Sequence, residues 1–381
     1  MQHVLITGGA GFIGSHLADE LLAHGYRVRV LDCLDPQVHG EQRRRPDYLS
    51  PEVELQVGDV CDKEAVTKAL QGVDAVFHFA AAVGVGQSMY ELAHYTRVNN
   101  LGTAVVLEAM IANPGRKLVV ASSMSLYGEG LYRDSQGHVR EGGERSLDQL
   151  KRAAWELDDG RGGVLEPVPT PETKQPTLAS VYALSKFDQE RMCLMTGRAY
   201  NFPAVALRFF NAYGPRQALS NPYTGVLAIF ASRLMNDSAP KIFEDGLQQR
   251  DFVSVYDVAR GCRLALETPQ AAGDVFNIGS GKPLTVRAVA ARLARVMGKE
   301  HIAPDRRQVP RRRHPPLLRR HRQGAARARL RAAGHAGRRH GGTRGLARRA
   351  GRGGSRRAGQ RRTQRAGPHG MSRTSTCREW R

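Results

Sequence analysis

A doubly wound α/β fold built on a parallel sheet is predicted by three observations. Short apolar runs recur at residues 3–6, 27–32, 53–57, 74–79, 117–122 and 204–209, separated by helical patterns; such alternation gives parallel strands joined by crossover helices. The first run enters a glycine-rich turn that opens a helical pattern, and the second ends on an acid, Asp32. The 381-residue chain keeps the alternation to about residue 304 and then loses it. One sizeable core with a small C-terminal lobe is therefore expected, followed by a disordered Arg-rich tail.

The elements follow in order. His3-Val4-Leu5-Ile6 is the first strand, Thr7-Gly8-Gly9-Ala10-Gly11-Phe12-Ile13-Gly14 the turn, and Leu17, Leu21 and Leu22 mark one face of the helix after it. Gly8 makes the tight turn, Gly11 lets backbone N–H groups approach a pyrophosphate, and Gly14 lets the helix pack closely. The helix N-terminus, with Phe12 and Ile13 in its first turn, then faces an anion. Asp32 ends the second strand 18 residues after Gly14, where a Rossmann unit places the acid that accepts both adenosine ribose hydroxyls and repels a 2′-phosphate. The expected cofactor is NAD rather than NADP. The third strand runs into Gly58-Asp59-Val60 and the fourth into Ala80-Ala81-Ala82. Small residues there leave room at the carboxyl end, and Asp59, Val60, Ala80 and Ala81 are expected to line the cofactor.

The fifth strand, Lys117 to Ala121, delivers Ser122, Ser123, Met124 and Ser125 to the ligand side of the sheet. Far along the chain, Tyr182-Ala183-Leu184-Ser185-Lys186 begins a helix whose four-residue spacing puts Tyr182 and Lys186 on one face. An ammonium near a phenol favours phenolate, so the tyrosine pKa of ~10 is expected to move towards neutrality, as a general base requires. The same lysine is suited to hold the nicotinamide ribose. Between these segments, about residues 129–179 are polar, rich in Gly, Pro and charge, and too long for a plain connection; they read as a lid or insertion.

The formal net charge of +21 suggests nucleic acid until its position is considered. Residues 1–304 hold 32 Lys and Arg against 34 Asp and Glu, a net of −2, whereas residues 305–381 hold 25 Arg, no Lys, Asp305 and Glu379, a net of +23. The basic character belongs to the tail, so no specific nucleic-acid partner is expected of the folded part. Cys33, Cys61, Cys193, Cys262 and Cys377 form no C-x-x-C pair and accompany no His cluster at ligand spacing, so neither a disulfide framework nor a metal site is expected. No apolar run reaches membrane-spanning length and no signal-like leader precedes the first strand, which predicts a cytoplasmic protein without a membrane partner.

Taken together, these motifs resemble the extended short-chain dehydrogenase/reductase family, in particular its nucleotide-sugar epimerases and dehydratases. The resemblance covers residues 1–304 and rests on the glycine turn, Phe77-His78-Phe79-Ala80-Ala81, Asn99-Asn100-Leu101-Gly102-Thr103, Ser122 to Gly128, Tyr182 with Lys186, and Leu207 to Pro215. It implies a Rossmann core mainly over 1–215 and 249–279 and a substrate lobe mainly over 216–248 and 280–304. Carried over by position, Ser123 bonds the reacting sugar oxygen, Tyr182 is the base and Lys186 its electrostatic partner. Asn99 joins the cofactor contacts, and Ser125, Asn211 and Arg250 contact a nucleotide-diphosphate sugar. A fixed fork of donors suits Arg250 to a diphosphate. Asn221 to Phe230, Ile242 to Gly246 and the insertion ending Glu166 to Thr170 resemble the dTDP-L-rhamnose 4-epimerase branch. The Asp-Glu pair of the dehydratases is absent around Met124 and Ser125, which favours 4-epimerisation through a transient 4-keto sugar. A homodimer built from segments 90–112 and 184–199 is also implied.

After Arg306 helical periodicity vanishes into Arg, Ala, Gly, Pro and His. A reading-frame slip of one base near Asp305 to Arg307 is the expectation. Back-translation of Gln308 to Ala333, moved one base, permits K/R-Y-R-V-G-D-I-R-H, A-D-I, K-A-R and L-G-Y-E-P, which resemble the family's C-terminal segments in order. Arg without Lys fits displaced GC-rich codons. A slip there removes a further diphosphate arginine and leaves the substrate lobe incomplete.

Overall fold

The computed structural model describes residues 2–218 and 225–307. Asn221 to Thr224 and the expected tail from Gln308 lie outside the described residues. Seven parallel strands form the main sheet: β1 (His3–Thr7), β2 (Arg27–Asp32), β3 (Glu54–Val57), β4 (Ala75–His78), β5 (Lys117–Ser123), β6 (Ala204–Phe209) and β7 (Val275–Ile278), in the order β7-β6-β5-β4-β1-β2-β3. The order reverses beside β1, and the crevice where it does so is where such sheets take ligands.

Strand alternation builds both faces. Val4, Ile6, Phe77, Val119 and Leu207 pack under helices α1 (Phe12–Ala23) and α6 (Val255–Glu267). Their neighbours Leu5, Val76, Leu118, Val120 and Ala206 pack under α2 (Lys63–Ala69), α3 (Gly102–Ile111) and α4 (Val181–Ala199). Both faces are covered, so the strands read as continuous apolar runs. β7 escapes that reading because polar Asn277 interrupts four residues. Its side chain accepts from Tyr127 Oη at 2.7 Å and donates to the Thr170 carbonyl at 3.0 Å.

Segment 90–112 is not one regular helix. Leu92–Tyr95 is helical, Thr96–Leu101 widens into a π-helical turn, and α3 follows. Beyond the sheet, α5 (Val226–Met235) packs on α7 (Val286–Met297) through Phe230, Leu234, Ile242, Ala290 and Leu293. Lys241–Phe243 pairs in parallel with Asp305–Arg307. The long polar stretch holds its own antiparallel sheet of Leu131–Arg133, Val139–Glu141 and Glu166–Val168 over Tyr132, Leu157 and Leu165. Arg145, buried, joins it to the lobe by pairing with Glu129 at 3.5 Å and Glu244 at 3.1 Å. Among the described residues no helix is long and apolar enough to cross a membrane.

Candidate active site

The glycine turn leaves β1 with Gly8 at φ +69° and its N–H bonded to the Leu31 carbonyl at 2.8 Å. A Cβ on Gly8 would lie 2.8 Å from the Ala80 nitrogen, and one on Gly14 2.6 Å from the Gly8 oxygen; neither can yield, because both neighbours are backbone. Gly9, which the sequence reading did not single out, is as confined: its Cβ would meet Val30 at 2.4 Å. On Gly11 a Cβ would meet only the Gly8 oxygen at 3.3 Å. α1 starts there without a side-chain cap, so its first N–H groups are available to an anion.

Asp32 is buried at the end of β2. One carboxylate oxygen accepts from Ala10 N–H at 3.0 Å and the other from Leu34 N–H at 2.9 Å, with His39 3.7 Å away. Burial raises its pKa above the ordinary carboxylate range, against those two hydrogen bonds. Asp59 is anchored by Cys61 N–H and Arg97, each at 2.9 Å, and Val60 packs beneath Gly102. Ala80 and Ala81 are half-buried beside the turn, Ala80 N–H reaching Thr7 Oγ1 at 3.2 Å. Asn99 is buried and spends its amide on the protein: it accepts from Ala82 N–H at 2.7 Å and donates to the Ala82 carbonyl and Ser185 Oγ. It therefore shapes the loop after β4 and ties it to α4.

The confined turn, the open helix end and the acid fit a dinucleotide, Gly11 to Ile13 being suited to a diphosphate and Asp32 to a ribose diol.

At the end of β5, Ser123 Oγ accepts from Ser125 N–H at 3.1 Å and lies beside the Tyr182 phenol, whose ionised form it favours. Tyr182 sits in the first turn of α4, which Ser180 caps by accepting from Ala183 N–H at 3.0 Å. Lys186, one turn on, is buried, and its ammonium donates to Gln189 Oε1 at 2.6 Å. Burial pushes the Lys186 pKa down to about 8, with Cys193 and Glu190 opposing the shift. The expected fall of the Tyr182 pKa towards neutrality is corrected here. Burial raises it and the Ser123 hydroxyl opposes that rise.

Ser125 Oγ is buried with no hydrogen-bond partner among the described residues, a polar atom that a ligand hydroxyl can satisfy. Asn211 and Arg250 lie on neighbouring parallel strands, with Asn211 opposite Phe252 and therefore on the same face as Arg250. Asn211 donates to the Asp251 carbonyl at 2.9 Å and touches the Met124 sulfur at 3.4 Å, which brings it beside the serines; Arg250 donates to its neighbour's carbonyl at 2.7 Å. Beneath them runs a buried ion pair that the sequence did not reveal. Glu190 takes a fork from Arg208 at 2.6 and 2.9 Å and accepts from Ser122 Oγ at 2.6 Å, while Arg208 also bonds Tyr127 at 2.8 Å. Among the described residues no three His, Cys, Asp or Glu side chains gather as a cation site.

A nucleotide site at one half of the sheet and a Ser–Tyr–Lys group at the other, both at strand carboxyl ends, define an enzyme that works on a ligand held against NAD. The chain belongs to the NAD dependent epimerase/dehydratase family, whose profile matches residues 4–144 and 162–279. It is an NAD-dependent enzyme of that family. The unmatched stretch falls within the insertion. Among curated proteins it is 34% identical over 308 residues to dTDP-L-rhamnose 4-epimerase of Burkholderia thailandensis, covering 80% of this chain and 82% of that protein. Among solved structures it is similar to UDP-glucose 4-epimerase of Thermus thermophilus in complex with NAD, with a TM-score of 0.65, 30% identity, and 85% and 90% of the two chains covered. The Thermotoga maritima UDP-glucose 4-epimerase with UDP-glucose gives a TM-score of 0.67 at 29% identity over 85% and 89%.

Proposed function

We propose that this protein interconverts nucleotide sugars at carbon 4, with a dTDP-6-deoxyhexose, dTDP-L-rhamnose first, as substrate. The observation that carries the chemistry is the buried Tyr182 beside Ser123 at the end of β5, the serine hydroxyl favouring the phenolate, with Lys186 one turn away. The substrate rests on the Burkholderia relative. Bound NAD supplies the two-electron acceptor for the carbon 4 C–H bond, returns those electrons, and in its oxidised form adds a positive ring charge. Ser123 stabilises the Tyr182 phenolate by donating its one hydroxyl hydrogen to it; Tyr182 takes the proton from the carbon 4 hydroxyl, and the serine hydrogen then turns to the carbon 4 oxygen. Lys186, with three donors, serves the nicotinamide ribose and the phenolate. The transient 4-keto sugar turns and is reduced on its other face, Tyr182 returning the proton. Ser125 bonds a sugar hydroxyl; Asn211 and Arg250 hold the diphosphate, the guanidinium fork matching its oxygens.

Two chains are proposed to pair through Leu92–Tyr95, the following turn and α4. Leu92, Leu101, Leu184 and Met195, each about half exposed on those segments, support this. The test is mass spectrometry of nucleotide and nucleotide sugar that co-purify, followed by NMR of dTDP-L-rhamnose with the protein encoded in the alternative frame after Asp305. Conversion of UDP-hexoses with none of dTDP-6-deoxyhexoses would overturn the substrate assignment.

A further inference from the structure

Lys186 is held by an amide whose orientation is dictated from two backbone anchors. At one end, Thr103 Oγ donates to the Asn99 carbonyl at 2.5 Å, so its oxygen can only accept from its other neighbours. Those are Gln189 Nε2 at 2.8 Å and His78 Nε2 at 2.9 Å. His78 therefore carries its proton on Nε2, and its Nδ1 accepts from Thr7 Oγ1 at 2.8 Å. Thr7 Oγ1 in turn accepts from the Phe79 and Ala80 N–H groups, each at 3.2 Å, which closes the chain on backbone beside Gly8. Every hydrogen in the run has one direction. With its nitrogen committed to Thr103, Gln189 must present Oε1 to Lys186. Gln189, His78 and Thr103 are 0–1% exposed, so water does not compete.

We propose that Gln189 is the positioning residue for Lys186: its polarity-locked amide keeps the ammonium charged and aimed at the nicotinamide ribose, and so sets the pH range over which NAD is held. The inference rests on the reading that Lys186 contacts bound NAD. An ammonium with one hydrogen on Gln189 has two left for ribose and phenol. Deprotonation frees it from the amide and loses that aim. The titratable groups facing Lys186 are Tyr182, Glu190 and Cys193 on α4 and His78 from β4. Glu190, although paired with Arg208, and Cys193 both favour the charged lysine, and burial keeps His78 uncharged by lowering its pKa to about 3. The amide is thus the nearest group that favours the charged lysine without carrying charge itself.

The experiment measures NAD dissociation constants calorimetrically on the full chain between about pH 6 and 10, together with melting midpoints. Weakening as Lys186 loses its proton is expected near its value of about 8. Gln189→Glu should move that inflection up by about one pH unit, because a carboxylate favours the ammonium, and Gln189→Met should move it down by about as much. Lys186→Met should abolish it. If Lys186→Met abolishes the inflection while both Gln189 variants keep it in place, the role of Gln189 is overturned and that of Lys186 stands. If Lys186→Met changes neither affinity nor pH profile, the reading of Lys186 fails and the inference falls with it. Should Gln189→Met not fold, Gln189→Glu decides: an upward shift supports the proposal and an unmoved inflection overturns it.

Discussion

Replacing Asp32 tests the dinucleotide site directly, and the structure sets the size of the effect. An ionised carboxylate offers about four lone-pair positions, of which Ala10 and Leu34 N–H groups take two. The remaining pair suits the two adenosine ribose hydroxyls. Hydrogen bonds to a charged group are worth about 1.5–3 kcal/mol each, so losing one weakens NAD about 10- to 150-fold, and losing both sets the upper bound. NADP should suffer less, since the charge that repels its 2′-phosphate goes too. The expected outcome for Asp32→Ala is therefore weaker NAD with a narrower NAD:NADP ratio. Asp32→Asn keeps the shape but sets an amide N–H against a backbone N–H, so it should also loosen the turn. Because burial raises the Asp32 pKa, NAD affinity should fall on acidification at a higher pH than an exposed aspartate would produce; the carboxylate is needed charged, so affinity is kept above that pKa and lost below it. Calorimetric titration with NAD and NADP, beside melting curves, is the assay. Tighter binding of NADP by the unmutated chain would refute the reasoning, as would an Asp32→Ala chain that binds NAD unchanged.

Arg208→Met strands the buried Glu190 carboxylate, at a cost of roughly 3–5 kcal/mol. The melting midpoint should fall by roughly 6–20 °C, and a fall under about 2 °C would show that the pair is not buried as described. His16 is held near a pKa of about 4 by burial, while its Nε2–H donates to the Pro215 carbonyl at 3.1 Å. The unfolded chain binds its proton more tightly, so this contribution is complete above about pH 6.5 and is lost as pH drops towards 4, by roughly 3 kcal/mol in all. His16→Gln should flatten that slope in urea titrations between pH 4 and 7; an unchanged slope counts against it. A gene restored to the alternative frame after Asp305 should epimerise a dTDP-6-deoxyhexose where the present chain shows little turnover, the difference lying mainly in KM, and Tyr182→Phe in the restored enzyme should abolish turnover with NAD still bound. Equal turnover by the present and restored chains would show that no frame slip impairs the tail, and a fully active Tyr182→Phe would remove Tyr182 as the base. Light scattering at micromolar concentration should give a dimer mass; a monomer would remove the proposed pairing of α4.

The sequence by itself determined the six apolar strands, the glycine turn with its acid, and the Tyr182–Lys186 helix. These depend on local pattern: period-two burial, a positive φ that only glycine takes without strain, and four-residue spacing along a helix. It left β7 unread because Asn277 buries its polarity against Tyr127 and Thr170, partners about 150 and 107 residues away in the chain. Local pattern also suggested that Lys186 would lower the pKa of Tyr182. Tertiary structure decided otherwise, since burial acts on both groups at once, raising the phenol and lowering the ammonium, while Gln189, fixed by Thr103 and His78, takes one of the ammonium hydrogens. The Glu190–Arg208 pair and the Arg145 bridge to Glu244 were invisible for the same reason: each charge is stable in the interior only because a distant segment meets it there.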